Sequence, residues 1–256
     1  MDNVLLEKHT GYAIVTLNRP AEMNALSRNL RREFVEVFAD CCADPSIRVL
    51  ILTGNGKAFC AGFDLKELGS DNSSDAAEEV NNALADAMAA FEGPIIGAIN
   101  GHAITGGFEM ALACDVLIAS ENARFADTHA RVGILPGWGL SQKLPRLIGT
   151  SRAKEVSFTG APVPARLAYE WGLVNHVVAP DELLPRAISM AEHMCACVPH
   201  ILTQYKRMID EGLSKPLDEA LVWEEALAIE SARQATSKII ESRRQAVLAR
   251  GRDENV

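Results

Sequence analysis

The stretch from Gly93 to Gly139 decides how the rest of the chain is read: G-P-I-I-G-A-I-N-G-H-A-I-T-G-G-F-E-M-A-L-A-C-D-V-L-I-A-S-E-N-A-R-F-A-D-T-H-A-R-V-G-I-L-P-G-W-G. Ile95 to Ile99 reads as a buried strand and Asn100 to Gly107 as a glycine-punctuated loop. A short helix opens at Gly106–Gly107, and Val116 to Ala119 forms a second buried strand. From Phe108 to Cys114 the helix is apolar almost all the way round, except for Glu109. A helix with no polar face is normally buried, so this carboxylate either pairs with an arginine or has chemical work to do. The paired glycines are either turn residues or a place where a backbone N–H comes close to a ligand.

Upstream, Val4 to Glu7 and Tyr12 to Leu17 alternate around K-H-T-G, a hairpin signal. Ser27 can cap a helix whose apolar positions Leu30, Phe34, Val37, Phe38 and Cys41 recur at three- and four-residue steps toward Pro45. The apolar run Val49 to Leu52 then makes strand, helix, strand, the start of a right-handed βαβ unit. K-A-F-C-A-G-F-D-L-K-E-L turns from a glycine into a short helix, Gly69 to Asp75 has the composition of a surface loop, and Ala76 to Phe91 reads as an alanine-rich helix. Downstream, helices are expected at Gly139–Ile148, Ser151–Thr159 and Ala165–Trp171. Gly172 then stops the last of these before a strand at Leu173–Val178. From Pro180 onward the pattern is helical, at Asp181–Cys197, His200–Glu211 and Leu217–Arg250, with a polar tail at Gly251–Val256. The class is therefore α/β in front and helical behind, divided into 1–179 and 180–256.

The 256 residues suffice for one large domain with a sizeable core, and a net charge of -9 disfavours nucleic acid or an anionic membrane as partner. Six cysteines form no C-x-x-C pair and read as reduced residues of a cytoplasmic protein, not a disulfide frame or zinc site. His9, His102, His176, His193 and His200 share no metal-ligand spacing. The N-terminus has no signal layout and no apolar run reaches membrane-span length, so a soluble chain is expected.

Several phrases, taken together, resemble the crotonase family, the enoyl-CoA hydratase/isomerase superfamily. They are L-N-R-P-A-E-M-N-A-L (Leu17–Leu26), A-F-C-A-G-F-D-L-K-E-L (Ala58–Leu68), A-I-N-G-H-A-I-T-G-G-F-E-M-A-L-A-C-D (Ala98–Asp115), R-F-A-D-T-H-A-R-V-G-I-L-P-G-W-G (Arg124–Gly139) and A-Y-E-W-G-L-V-N-H-V-V (Ala168–Val178). The resemblance implies a superhelix of ββα turns with a C-terminal helical trimerisation region, assembling as a trimer or dimer of trimers. It also implies an acyl-CoA thioester as substrate, with no metal or redox cofactor. Negative charge that builds on the thioester oxygen would be met by two backbone N–H donors, each typically worth about 3 kcal/mol of barrier. By motif match these belong to Phe63, after Ala61–Gly62, and to Gly106. On that reading the Phe63 side chain is free to vary and that of Gly106 is not. The CoA side would be formed by Ala25 and Leu26 together with the loop Ala61, Gly62, Phe63, Asp64, Leu65 and Lys66.

Hydratases of this family use two glutamates to activate water and deliver a proton to Cα. Glu109 matches the first, but twenty residues on stands His129. A histidine can shuttle a proton near neutral pH, so the pair can serve hydration. Other outcomes consistent with that histidine are isomerisation, thioester hydrolysis or acyl-CoA binding without turnover, and His129 can equally be a structural residue beside a strand. Asp127 and Glu121 lie close enough in sequence to orient or charge it. Trp138 replaces a small residue of many relatives and would restrict long acyl chains if it points inward. In the C-terminal phrase E-S-R-R-Q-A-V-L-A-R (Glu241–Arg250), Ala246 and Ala249 stand where the family has an aromatic and a lysine. The leading expectation is a hydratase that adds water to a trans-2-enoyl-CoA to give a 3-hydroxyacyl-CoA.

Overall fold

The computed structural model describes residues 2–70 and 82–234, together with 240, 241, 243, 244 and 248. The polar stretch read at 71–75, the start of the alanine-rich helix, and most of the Glu241–Arg250 phrase with its tail lie outside the described residues. The chain divides into two compact units, Met1–Thr203 and Gln204–Val256.

The first unit is built on two sheets. One has the order β1 (Val4–Lys8), β2 (Tyr12–Leu17), β3 (Val49–Gly54), β5 (Ile95–Ile99), β7 (Val116–Ser120) and β10 (His176–Val178). Only the β1–β2 hairpin is antiparallel; β2, β3, β5, β7 and β10 run parallel. The other sheet has the order β4 (Ala58–Cys60), β6 (His102–Ile104), β8 (Arg124–Ala126) and β9 (Val163–Pro164). Each of β3, β5 and β7 in the first sheet is followed by its successor in the second, and helices return the chain. This is the ββα superhelix that the family resemblance implied.

The parallel strands are buried on both faces, which explains their continuous apolar sequence. Alternate residues of one face, such as Ala13, Val15, Leu50, Leu52 and Ile99, join the larger core under α1 (Arg28–Ala43). Those of the other, including Tyr12, Ile14, Ile51, Ile96 and Ile118, pack with Leu183, Ala187 and Ala191 of α9 (Leu183–Cys195). Helix α1 starts where expected: the Leu30 N–H donates to the Ser27 hydroxyl at 3.3 Å, and Leu30, Phe34, Phe38 and Cys41 point inward.

Helix α2 (Leu65–Ser70) carries past Gly69, which the sequence assigned to a loop, and α3 is described over Ala83–Ala90. Next come α4 (Gly106–Leu112), α5 (His129–Val132), α6 (Leu140–Ile148), α7 (Thr150–Thr159) and α8 (Ala165–Glu170). Helix α10 (Pro199–Gly212) leads into the second unit, where α11 runs over Leu217–Gln234. The second sheet was not foreseen: β6 lies inside what was read as loop, and strands of two or three residues are too short to show alternation.

Candidate active site

Every residue of α4 is buried. Gly107 permits this, because a Cβ there would lie 2.0 Å from the Cys60 carbonyl oxygen of β4. At Gly106 a Cβ would stand 3.4 Å from the Trp138 ring and 3.6 Å from Leu26 Cδ1, ordinary contacts. The packing constraint on the glycine pair therefore falls on Gly107.

Glu109, 2 % exposed, is held by main-chain donors and a histidine instead of an arginine. Its Oε1 accepts the Trp138 N–H at 2.7 Å and the Leu140 N–H at 3.3 Å. Leu140 opens α6, and the first N–H groups of a helix have no partners within it. With Oε1 anchored, Oε2 faces His129 Nε2 at 3.4 Å.

His129, 7 % exposed, begins α5 just beyond β8. Its Nδ1 lies 2.7 Å from Asp127 Oδ1, and the same oxygen accepts the His129 main-chain N–H at 3.1 Å. Burial works against a charged ring, but the hydrogen bonds and charges of Asp127 and Glu109 outweigh it and hold the His129 pKa up to about 9. For Asp127, burial would raise the carboxyl, yet hydrogen bonds from His129 and Ser157 pull it below its ordinary value. The site thus sets the His129 ring between Asp127 and Glu109, whose hydrogen bonds and charges favour its protonated form.

Phe63 and Gly106, the two residues expected to offer main-chain N–H donors, lie on neighbouring loops, and of the two only Phe63 lines the cavity. Leu26 N–H donates to Gly62 O at 2.8 Å and Asp64 N–H to Leu26 O at 3.4 Å, a parallel bridge that turns the intervening Phe63 N–H away from Leu26. Gly106 is the first residue of α4, where N–H groups are not used by the helix. The loops touch: a Cβ on Gly62, at φ +83°, would come within 3.2 Å of Gly106 N and cover that donor. The residue before Gly106, Thr105, has φ 55° and ψ −111°, costly for a β-branched side chain. Its hydroxyl lies 2.5 Å from that of Thr128, tying the Gly106 loop to the residue preceding His129.

Trp138, Phe63, Ala61 and Leu65 line the cavity with Glu109 and His129. The buried Trp138 ring points inward, 5.3 Å from the Phe63 ring centroid. Leu26 reaches Gly106, but neither of these lines this cavity, and nor do Ala25, Gly62, Asp64 and Lys66. Arg19 Nη1 donates to Ala25 O at 2.7 Å and pairs with Asp64 at 3.2 Å, fastening the two loops together, while Lys66 is exposed. Sequence reasoning missed the lining residues Thr105, Thr128, Val132, Ile134, Leu135 and Gly137. Adjacency to Gly106 and His129 was the available signal for the two threonines. Among the described residues no group of three or more His, Cys, Asp or Glu could hold a metal ion.

Known proteins share this arrangement of sheets and helices. The family model described as "Enoyl-CoA hydratase/isomerase" matches residues 7–247. The probable enoyl-CoA hydratase 1, peroxisomal, of Arabidopsis thaliana is 44% identical over 85% of this chain and 82% of its own length. The short-chain-enoyl-CoA hydratase of Clostridium acetobutylicum is 36% identical over 95% and 97%. The crystal structure of an enoyl-CoA hydratase from Bacillus anthracis superposes with a TM-score of 0.88 at 35% identity, covering 95% of this chain and 96% of that one. A family match over nearly the whole chain, with the fold to go with it, establishes that this protein belongs to the enoyl-CoA hydratase/isomerase family, the crotonases.

Proposed function

We infer that the protein is an enoyl-CoA hydratase, adding water to a trans-2-enoyl-CoA to give a 3-hydroxyacyl-CoA. The observation that carries the reaction is the contact of Glu109 Oε2 with His129 Nε2, two groups able to transfer protons 3.4 Å apart at one cavity. Glu109 Oε2 takes a proton from water as the oxygen bonds to Cβ. The C=C electron pair moves to Cα and the thioester oxygen, where the Phe63 and Gly106 N–H groups receive the charge. His129 Nε2 gives its proton to Cα and the thioester carbonyl reforms. Glu109 then holds the proton taken from water and His129 has lost one. Passage of the proton from Oε2 to Nε2 restores both.

Acyl-CoA is the substrate, and no metal or redox cofactor enters these steps. Inward-facing Trp138 supports a preference for short acyl groups. Assembly as a trimer or dimer of trimers is supported by the second unit, where Ile209, Leu213, Leu217, Leu221 and Val222 are exposed apolar residues. A cytoplasmic location fits the acidic charge and the free cysteines; no described helix is long and apolar enough to cross a membrane.

The test is crotonyl-CoA turnover with product identification. Glu109→Gln keeps the acceptor oxygen and removes the base, so the rate of 3-hydroxybutyryl-CoA formation should fall by about 100-fold or more. Full activity in that variant would overturn the mechanism, and wild-type binding without product would return the protein to a non-catalytic acyl-CoA binder.

A further inference from the structure

The mechanism needs a proton on His129 Nε2, and it leaves unused the carboxylate on the other side of the ring. We propose that Asp127 is the positioning residue for the proton donor, and that Asp127 and His129 form one unit in which replacing either alone impairs the work of the other. The proposal rests on the hydratase reading and adds a requirement to it.

The geometry supplies three reasons. First, Asp127 Oδ1 accepts from both the ring Nδ1 and the main-chain N–H of His129, at 2.7 and 3.1 Å, which ties the ring to its own backbone. With Nδ1–H committed to Asp127, Nε2 is the nitrogen presented to Glu109, and the tautomer is fixed as well as the orientation. Second, Asp127 is itself buried and hydrogen-bonded by Ser157 of α7, so it does not swing with the ring. Third, the charges acting on the ring are Glu109 from α4 and Asp127 at the end of β8, with uncharged Ser157 behind Asp127 on α7. A neutral ring would direct the Nε2 lone pair at the Glu109 carboxylate, whereas a protonated ring satisfies both neighbours. The hydrogen bonds and charges of both carboxylates, acting against burial, hold the ring protonated into alkaline solution.

The unit explains how a histidine can stand where the family pattern has a glutamate. A His129→Glu carboxyl would sit against Asp127 on one side and Glu109 on the other, three acids in one buried place, and such groups cannot all ionise. That substitution alone is therefore expected to be a poor enzyme even though it restores the family's glutamate. Removing the Asp127 charge at the same time relieves the crowding.

The experiment measures crotonyl-CoA hydration against pH for wild type, Asp127→Asn, His129→Glu and the double variant, with NMR titration of the His129 ring in wild type and Asp127→Asn. Asp127→Asn keeps an acceptor for Nδ1–H and removes only the charge. Its high-pH limb of kcat should move down by about one pH unit or more, with kcat at pH 8 lower by about twofold or more and KM changed far less. The double variant should exceed His129→Glu by about tenfold or more. An unmoved limb, or a double variant no better than His129→Glu, would overturn the unit. If Asp127→Asn fails to fold, Asp127→Ser serves, which also removes the charge, with a shift in the same direction; no shift there would count against the proposal. If wild type proves inert toward crotonyl-CoA, the hydratase reading falls while the NMR arm still decides: a lowered His129 midpoint supports the positioning role, and an unchanged midpoint refutes it.

Discussion

At the scale of single residues, the catalytic centre is fixed mainly by groups that a motif cannot display. Glu109 was legible as an anomaly, a lone carboxylate in an apolar helix. Its anchors were not, because the Trp138 and Leu140 donors are main-chain atoms on a segment 29 and 31 residues further along. His129 was legible by position alone, while its ionisation depends on neighbours in space. Trp138 offers a direct residue-scale test, since its ring occupies the cavity between Phe63 and the Gly106 loop. Trp138→Leu should raise kcat/KM for decenoyl-CoA relative to crotonyl-CoA by about tenfold, the scale of one or two methylenes accommodated. Parallel rate measurements with the two substrates check this, and an unchanged ratio would mean that the chain limit lies elsewhere.

At the scale of elements, legibility followed length. Helix α1 and strands β2, β3, β5 and β7 carry enough residues for their period to show, and their bounds agree with the sequence reading within a few residues. Strands β4, β6, β8 and β9 do not, though together they form the layer from which the Phe63, Gly106 and His129 segments emerge. The cap of α1 matters to that layer, because Ser27 directly follows Leu26, which bridges to Phe63. Ser27→Ala leaves the Leu30 N–H without its acceptor and should cost about 1 kcal/mol of stability. Urea denaturation reads the loss directly; a loss of several kcal/mol would instead mean that Ser27 holds the Leu26–Phe63 bridge as well.

At the scale of the whole molecule, the site's electrostatics feed back on stability. The His129 pKa is raised in the folded state, to about 9 from an unfolded value near 6.5. Its contribution is therefore complete below about pH 6.5 and is lost as pH rises through 9, an amount of at most about 3 kcal/mol. Between pH 6.5 and 9.5 wild type should lose more unfolding free energy than His129→Gln does, by denaturant titration at each pH. Equal losses would indicate that the ring gains no proton affinity on folding. Overall acidity and the parallel sheet were readable from the sequence; this coupling was not, since it arises only when β8, α4 and α7 converge.

Helix α4, buried along its whole length, carries both Gly106 and Glu109. Many enzymes assemble their chemistry on segments that open and close, so that activity can fade by local fraying while the body stays intact. Here no fraying end separates the chemistry from the core. The hydrogen-bonded amides of Glu109–Leu112 belong among the last to exchange with solvent, and heat inactivation and loss of the fold become one event with one temperature.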